Sequence, residues 1–210
     1  MTAALSKPVV GLLGAPGAGK SFVAEQFRQL GTAVIDADAL ARDALQAPDV
    51  REQLVQWWGP GVLDAQGHVD RQAVGRIVFN DPEALKQLES LTHPKVRESR
   101  AALRERYDRD PAVKAIVEDS PLLLEKGLDA ECDVLVLVDA PREVRLERLA
   151  RDRGWSAAEL DRREKNQWPL DNKRQRADHV VNNHAGAESV ADQVRRVFFL
   201  ILQNRDQATR

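Results

Sequence analysis

Several residue types are scarce in this 210-residue sequence, and each scarcity excludes a class of protein. The single cysteine, Cys132, excludes an internal disulfide framework and a multi-cysteine zinc site. Aromatic residues make up only 5% of the chain, and the apolar runs are short, so no segment is long enough to cross a bilayer and we expect no membrane partner. The first residues lack the apolar core of a signal peptide, so we expect a cytoplasmic protein. No metal-ligand spacing relates the four histidines, which are His68, His93, His179 and His184.

A strong net charge is also absent, since 31 lysines and arginines face 33 aspartates and glutamates for a net charge of -2. A dedicated nucleic-acid binder is usually basic overall, so we expect no nucleic-acid partner. The charge is uneven, because residues 142–176 hold eleven basic and seven acidic residues, a local net charge of +4. This basic segment on an otherwise acidic chain favours a small polyanionic ligand. Any single arginine in it is also explained as part of a solvated helix face.

Short apolar runs alternate with amphipathic stretches along the chain. Continuous apolar runs predict strands buried on both faces and therefore a parallel sheet. The five runs are Pro8–Gly14, Ala33–Asp36, Lys114–Asp119, Asp133–Asp139 and Asp178–Asn182. Between and after them, helical periodicity recurs, most clearly from Val190 to Leu202. The pattern predicts an α/β fold, a three-layer sandwich around a five-stranded parallel sheet.

Two stretches interrupt this alternation. Residues 41–111 contain no strand pattern and are predicted to form a helical insert, whereas residues 151–176 are polar and basic and are predicted to form a helical lid. The core of the single domain is then assigned to residues 7–40, 112–150 and 177–208. Trp155 and Trp168 lie in the basic segment and are interpreted as packing anchors rather than as platforms for a base.

The strongest motif follows the first predicted strand and precedes a predicted helix. It has the pattern G-x-x-x-x-G-K-S and consists of Gly14, Ala15, Pro16, Gly17, Ala18, Gly19, Lys20 and Ser21. Glycines let backbone N–H groups turn toward phosphate oxygens, and the following helix contributes its dipole. In such a loop the lysine reaches the β- and γ-phosphates and the serine hydroxyl ligates Mg²⁺. The motif predicts a nucleoside triphosphate site with Lys20 as a catalytic residue.

The use of the nucleotide depends on residues outside the loop. The guanine-reading pattern Asn-Lys-x-Asp is absent, which argues against a GTP switch. A small-molecule kinase needs an acid to receive the proton of the acceptor hydroxyl, and Asp36 and Asp38 follow the second predicted strand. Asp38 is also explained as the N-cap of a helix starting at Ala39, and Asp119 either as a second acid or as an ordinary loop residue. These residues alone do not exclude two other functions, which are a kinase for another acceptor and a non-catalytic ATP-binding module.

The chain resembles the dephospho-coenzyme A kinase family in a series of elements that run in order over nearly its whole length. They are the phosphate loop, Val-Ile-Asp-Ala-Asp at 34–38 with Arg42, Leu63-x₆-Asp70-Arg71, Ile77-Val78-Phe79-x-Asp81-Pro82, Thr92-His93-Pro94-x-Val96, Asp119-x-Pro121-Leu122-Leu123-x-Glu125, Leu146-x-Arg148, and Gln167-x₆-Arg174-x₂-Ala177-Asp178-x-Val180. The phosphate loop alone belongs to a very large superfamily. The elements after it are much more specific in combination.

The resemblance implies transfer of the γ-phosphate of ATP to the ribose 3′-hydroxyl of dephospho-CoA with Mg²⁺, the final step of coenzyme A synthesis. It implies that Asp38 is the catalytic base and that Arg148 and Arg174 stabilise the transferred group. The substrate-binding positions it implies are Asp38, Arg42, His93, Asp119, Pro121 and Leu122. Nothing in the pattern requires an obligate protein partner. Without the resemblance, His93 before Pro94 is explained as an ordinary helix-start residue.

Two positions depart from the family pattern. Phe22 stands where the family often has threonine after the loop serine, and we expect it to bind near the nucleotide and to tighten the packing of the helix. Ala185 stands where a glycine often follows the late asparagine. This departure weakens the assignment of Asn183 to the adenine side of the ATP site.

Overall fold

The computed structural model describes residues 6–184 and 186–208, so Ala185 lies outside the described residues. One sheet of five parallel strands has the order β2-β3-β1-β4-β5. The strands are β1 (Val9–Leu13), β2 (Thr32–Asp36), β3 (Ala115–Asp119), β4 (Val134–Asp139) and β5 (His179–Asn182). Each begins and ends within one residue of a predicted apolar run, so the prediction of the sheet is confirmed.

Helices fill the segments between the strands. In the described part of the chain the α-helices are α1 (Lys20–Arg28), α2 (Ala37–Leu45), α3 (Pro48–Trp58), α4 (Arg71–Asn80), α5 (Pro82–Arg109), α6 (Arg142–Arg153), α7 (Ala157–Glu164), α8 (Leu170–Arg176) and α9 (Ala187–Ala208). Short 3₁₀ helices cover Pro60–Val62 and Leu128–Glu131. Among the described residues, none of these helices is both long and apolar enough to cross a membrane.

Apolar side chains cover both faces of the sheet, because successive residues of a strand point to opposite faces. On one face, Leu12 and Val136 pack with Phe27 of α1 and Phe198 of α9. The rings of Phe27 and Phe198 meet edge to face with their centroids 6.2 Å apart. On the other face, Leu137 packs with residues of the segment after β3 and with Leu170 of α8. These two apolar layers produce the predicted three-layer sandwich.

The chain forms two compact units. The core unit comprises Met1–Asp36 and Arg104–Arg210, and the helical unit comprises Ala37–Leu103. The helix α5 supplies residues to both. These divisions fall at different residues from the predicted insert of 41–111, whose limits as a functional region stay a prediction.

The helical unit has an apolar cluster of its own, with Val50 and Leu54 of α3 completely buried. Carboxylates cap the starts of α4 and α5, since Asp70 Oδ1 accepts from Gln72 N at 2.8 Å and Asp81 Oδ1 accepts from Glu83 N at 2.9 Å. An isolated antiparallel bridge joins Leu63 and Val69. Apart from this bridge, the described residues of the predicted insert form no strand, as expected.

Candidate active site

The loop between β1 and α1 has a backbone that requires glycine at two positions. Gly17 has a φ of 78° and Gly19 a φ of 87°, a region that L side chains rarely adopt. A Cβ atom at Gly19 would lie 2.2 Å from Asn183 Nδ2, and one at Gly17 would lie 2.8 Å from the carbonyl oxygen of Arg145. Backbone conformation and available space therefore both explain the glycines that the motif contains.

Side chains distant in sequence hold the carbonyl oxygens of this phosphate loop. Asn183 is buried, and its Nδ2 donates to the carbonyl oxygen of Ala18 at 2.7 Å. Arg148 donates to the same oxygen at 3.4 Å and to the carbonyl oxygen of Asn183 at 2.8 Å. Lys20 Nζ donates to the carbonyl oxygen of Gly14 at 3.3 Å. The sequence-predicted residues Lys20, Arg148 and Asn183 are thus brought together around one loop.

Two carboxylates belong to the last residues of neighbouring strands, at the edge of the sheet where the phosphate loop begins. Asp36 ends β2 and Asp119 ends β3, and the strand register places them opposite each other. Asp119 is also opposite Leu12 of β1. Ser21 Oγ donates to Asp119 Oδ2 at 3.4 Å. Asp119 is the last residue of its strand and contacts the loop serine, and its role as a second acid stays a prediction.

The residues beside Asp119 lie in the turns that follow β3. Pro121 and Leu122 are partly exposed, whereas Leu123 next to them is buried against the sheet. Phe22, in the first turn of α1, is 39% exposed. The expectation that Phe22 tightens helix packing is therefore wrong, since its ring lies outside the buried core.

The basic segment contributes arginines that are already paired with acids. Arg174 of α8 forms an ion pair with Asp139, the last residue of β4, at 2.7 Å. Arg176 pairs with Asp129 at 2.9 Å. Trp155 lies between two guanidinium groups, those of Arg163 at 4.4 Å and Arg153 at 5.2 Å from its ring centre. These partners offset much of the local positive charge that the sequence predicts.

Lys173 is a buried lysine that sequence reasoning counted only as part of the basic segment. Its side chain is 3% exposed, and its Nζ donates to Gln167 Oε1 at 2.7 Å and lies 3.5 Å from Glu125 Oε1. Burial lowers the pKa of Lys173, Glu125 opposes this by attraction, and the charge of Lys20 adds to the lowering. The Glu125 Oε1 atom also accepts from Trp168 N at 2.6 Å. The Glu125 contacts join α8 and the residues before it to the segment after β3.

A cavity of about 280 Å³ lies next to the phosphate loop in the core unit. Its lining includes Ala15 of the loop, Arg145 of α6, Glu164 of α7 and Lys173 of α8. Arg145 is buried and donates to the carbonyl oxygen of Pro16. Sequence reasoning missed Arg145 as an individual residue, and no motif distinguishes it from the exposed arginines nearby.

The helical unit holds the remaining sequence-predicted residues. Asp38 lies in the first turn of α2, with Arg42 one turn later on the same helix. The interpretation of Asp38 as the cap of a helix that starts at Ala39 is wrong, because α2 begins at Ala37. Asp38 follows Asp36 by two residues along the chain.

His93 lies within α5, a helix of 28 residues that continues through Pro94. The interpretation of His93 as a helix-start residue is therefore wrong. Its Nε2 lies 3.8 Å from Glu89 Oε1, one turn earlier on the helix. In the same turn, Thr92 Oγ1 donates to the carbonyl oxygen of Leu88 at 2.8 Å.

A comparison with protein families finds that residues 8–189 match the model of dephospho-CoA kinase. Curated relatives carrying that name include proteins of Geobacillus kaustophilus and Anaeromyxobacter dehalogenans. The first is 38% identical over 94% of this chain and 96% of its own length. The second is 43% identical over 90% of each chain.

Solved structures with the same fold include a dephospho-CoA kinase. A Thermus thermophilus protein matches with a TM-score of 0.79 and 35% identity, covering 93% of this chain and 98% of its own. The dephospho-CoA kinase of Campylobacter jejuni matches with a TM-score of 0.67 and 25% identity over 93% of this chain and 98% of its own. A shikimate kinase of Acinetobacter baumannii, 17% identical with a TM-score of 0.51 over 94% of each chain, shares the fold.

Proposed function

The chain belongs to the dephospho-CoA kinase family and is an ATP-dependent kinase, and we propose that it transfers the γ-phosphate of ATP to the ribose 3′-hydroxyl of dephospho-CoA. One structural observation carries the proposal. The phosphate loop, with its carbonyl oxygens held by Arg148 and Asn183, lies beside Asp119 at the carboxyl edge of the sheet. Parallel α/β sheets bind ligands at this edge.

The phosphate loop binds the β- and γ-phosphates through backbone N–H groups and through Lys20. The N-terminus of α1 supports this binding, because its first N–H groups have no acceptors within the helix and the helix dipole favours an anion there. The Nζ of Lys20 donates to the carbonyl oxygen of Gly14, which keeps the ammonium group at the loop. In the complex, the same ammonium group exchanges this acceptor for phosphate oxygens.

Asp38 acts as the base in the proposed reaction. It orients the acceptor hydroxyl and takes its proton while the 3′-oxygen forms a bond to the γ-phosphorus and the bond to the β,γ-bridging oxygen breaks, which releases ADP. Its support is its place two residues beyond the end of β2 and its match to the family motif. Arg42, His93, Asp119, Pro121 and Leu122 are proposed to bind dephospho-CoA on the same grounds.

Arg148 and Arg174 are proposed to stabilise charge on the transferred group. Both have a fixed position beside the loop or its neighbouring strand, Arg148 through Ala18 and Arg174 through Asp139. A guanidinium held in place by other partners loses little conformational freedom when it meets a phosphoryl oxygen. Lysine at either position would keep the charge and lose the planar fork of donors.

The oxygen donors beside the loop fit Mg²⁺. A hydroxyl and a carboxylate, those of Ser21 and Asp119, lie 3.4 Å apart. Among the described residues no cluster of three or more histidine, cysteine or acidic side chains is placed to hold a metal ion. This suits Mg²⁺, which keeps several waters and is bound through one or two protein oxygens together with substrate phosphates. When bound, Mg²⁺ would offset negative charge on the phosphate oxygens.

The proposed function is tested by measuring ADP release from ATP and Mg²⁺ with dephospho-CoA, adenosine and shikimate as separate acceptors. We expect turnover with dephospho-CoA only, and a product phosphorylated at the 3′-hydroxyl by ³¹P NMR. Asp38→Asn is the matched variant, since it keeps the size of the side chain and removes the base. Turnover with another acceptor and no turnover with dephospho-CoA would refute dephospho-CoA as the acceptor. Full activity of Asp38→Asn would refute the assignment of Asp38 as the base.

A further inference from the structure

Arg145 joins three segments of the core unit through one guanidinium group. It lies on α6 and is 5% exposed. Its Nε donates to the carbonyl oxygen of Ala140 at 3.2 Å, which anchors the side chain to the end of β4. Its NH1 donates to the carbonyl oxygen of Pro16 at 3.2 Å and pairs with Glu164 Oε1 at 2.5 Å. The phosphate loop and the last residue of α7 therefore share one nitrogen atom.

The bond to Pro16 fixes the plane of the Pro16–Gly17 peptide group. The Pro16–Gly17 peptide is trans, because the described residues contain no cis peptide bond. In a planar trans peptide the C=O and the following N–H point in opposite directions. A donor that holds the carbonyl of Pro16 on one side of the loop therefore holds the N–H of Gly17 on the other. That is the side on which a loop of this kind binds phosphates.

The Gly17 turn is also held by contact. A Cβ atom added to Gly17 would lie 2.8 Å from the carbonyl oxygen of Arg145 and 2.9 Å from Leu149 Cδ1. The backbone and side chain of α6 thus meet the loop at adjacent residues, Pro16 and Gly17. Rotation of this peptide would break the hydrogen bond, and the close contact leaves no room for the loop to move toward α6.

Glu164 links this arrangement to the predicted lid. It ends α7 and is 29% exposed, and it also accepts from Arg142 NH1 at 2.9 Å. Arg142 pairs with Asp161 of α7 as well. In the described part of the chain, the hydrogen bonds of the Arg142 side chain go to Glu164 and Asp161 of α7. Glu164 therefore has one partner that touches the loop and one that is bonded to α7.

We propose that Arg145 is a positioning residue that holds the N–H of Gly17 toward the nucleotide phosphates, and that Glu164 fixes the guanidinium of Arg145 in the orientation this requires. The inference rests on the ATP binding of the proposed function. Arg145 acts through the loop backbone, so its removal weakens the binding of the phosphate chain. The binding of the adenine and ribose and of dephospho-CoA is left as it was.

The test compares Arg145→Met with the wild type by calorimetric titration with Mg-ATP, Mg-ADP, tripolyphosphate and adenosine. Methionine keeps an unbranched apolar stem and removes every donor. We expect Kd for the three phosphate ligands to rise about tenfold, equivalent to about 1.4 kcal/mol, and Kd for adenosine to stay within about twofold. In the kinase assay, KM for ATP should rise by the same factor, while kcat and KM for dephospho-CoA change by less than about threefold.

Glu164→Gln and Arg142→Met separate positioning from general stabilisation of α7. Glu164→Gln should raise Kd for ATP about threefold, and the double variant Arg145→Met/Glu164→Gln should bind ATP as Arg145→Met does, because both changes act through one guanidinium. Arg142→Met is the matched control, since it removes a partner of Glu164 that does not touch the loop. We expect its Kd for ATP to equal that of the wild type.

Several results would overturn the inference. A folded Arg145→Met protein that binds tripolyphosphate as the wild type does would refute it, and so would an equal loss for adenosine. Additive effects of Arg145→Met and Glu164→Gln would refute the role of Glu164. If Arg145→Met does not fold, Glu164→Gln decides alone, and unchanged ATP binding there refutes the proposal. Absence of ATP binding in the wild type would instead refute the proposed function.

Discussion

Replacement of Gly19 by alanine tests whether the phosphate loop owes its shape to the contact between Gly19 and Asn183. Gly19 has a φ of 87°, and a Cβ atom there would lie 2.2 Å from Asn183 Nδ2. The amide group of Asn183 must move to admit the methyl group, and it then loses its bond of 2.7 Å to the carbonyl oxygen of Ala18. Gly19→Ala therefore changes both the backbone energy and the position of the loop.

The magnitude follows from two additive costs. An L residue in the left-handed region costs roughly 1–2 kcal/mol relative to glycine. Loss of the buried hydrogen bond from Asn183 to the carbonyl oxygen of Ala18 lowers the free energy of unfolding by about 1 kcal/mol more. The sum is about 2–3 kcal/mol, and for a protein of this size each kcal/mol lowers Tm by roughly 2–4 °C. We expect Gly19→Ala to lower Tm by about 4–12 °C and to raise Kd for ATP more than tenfold.

Gly154→Ala is the matched control for the backbone cost. Gly154 also lies in the core unit and has a φ of 66°, but nothing lies within 4 Å of a Cβ atom added there. The free energy of unfolding of Gly154→Ala should fall only by the roughly 1–2 kcal/mol that the left-handed conformation costs, and its affinity for ATP should be unchanged. Thermal unfolding and calorimetric titration with Mg-ATP measure both quantities for each variant.

A second variant identifies the clash itself. Gly19→Ala/Asn183→Ala removes the atom that the new methyl group meets, so it should be no less stable than Gly19→Ala alone although it has lost one more polar side chain. If Gly19→Ala and Gly154→Ala lower Tm equally, the close contact has no energetic role. If Gly19→Ala binds ATP normally, the geometry of the loop does not depend on Asn183.

Three further predictions concern single side chains. Asp38→Asn should leave the affinity for ATP unchanged in calorimetry and lower kcat about 10²- to 10⁴-fold in the ADP-release assay. Weaker ATP binding would contradict a role limited to accepting the proton of the acceptor hydroxyl. Burial lowers the pKa of Lys173, so the unfolded chain binds more protons between that lowered value and 10.5, and the free energy of unfolding should rise with pH in this window. Urea unfolding of Lys173→Met should lack this rise, and an unchanged pH slope would contradict the assignment. Arg104→Met removes a guanidinium that pairs with the buried carboxylate of Glu118 at 2.5 Å, so the free energy of unfolding measured in urea should fall by about 3 kcal/mol. The double variant Arg104→Met/Glu118→Met also removes the carboxylate left unpaired and should recover most of this loss.

The strands were predictable because burial on both faces leaves a continuous apolar run. The run Asp133–Asp139 holds five consecutive apolar residues, and β4 occupies Val134–Asp139. The order of the strands was not readable in this way, since a parallel sheet in the order β2-β3-β1-β4-β5 depends on the crossovers between strands. The long helix α5 was also missed as one element, because the proline rule predicts a boundary at Pro94. A long helix tolerates the loss of one backbone hydrogen bond when the turns on either side keep theirs.

The site divides along the same line between local and distant interactions. The phosphate loop is recognisable from eight consecutive residues because the local backbone conformation requires glycines. Gly17 and Gly19 show this through their positive φ. The side chains that hold it are 129 to 165 residues away, namely Arg145 at Pro16 and Arg148 and Asn183 at Ala18. No spacing rule selects Arg145 from the eleven basic residues of 142–176. Burial distinguishes it from the other arginines of that segment, and burial is a property of the fold. We therefore predict that phosphate affinity depends on residues that the loop motif does not contain, and that substitutions there change this affinity while the motif stays intact.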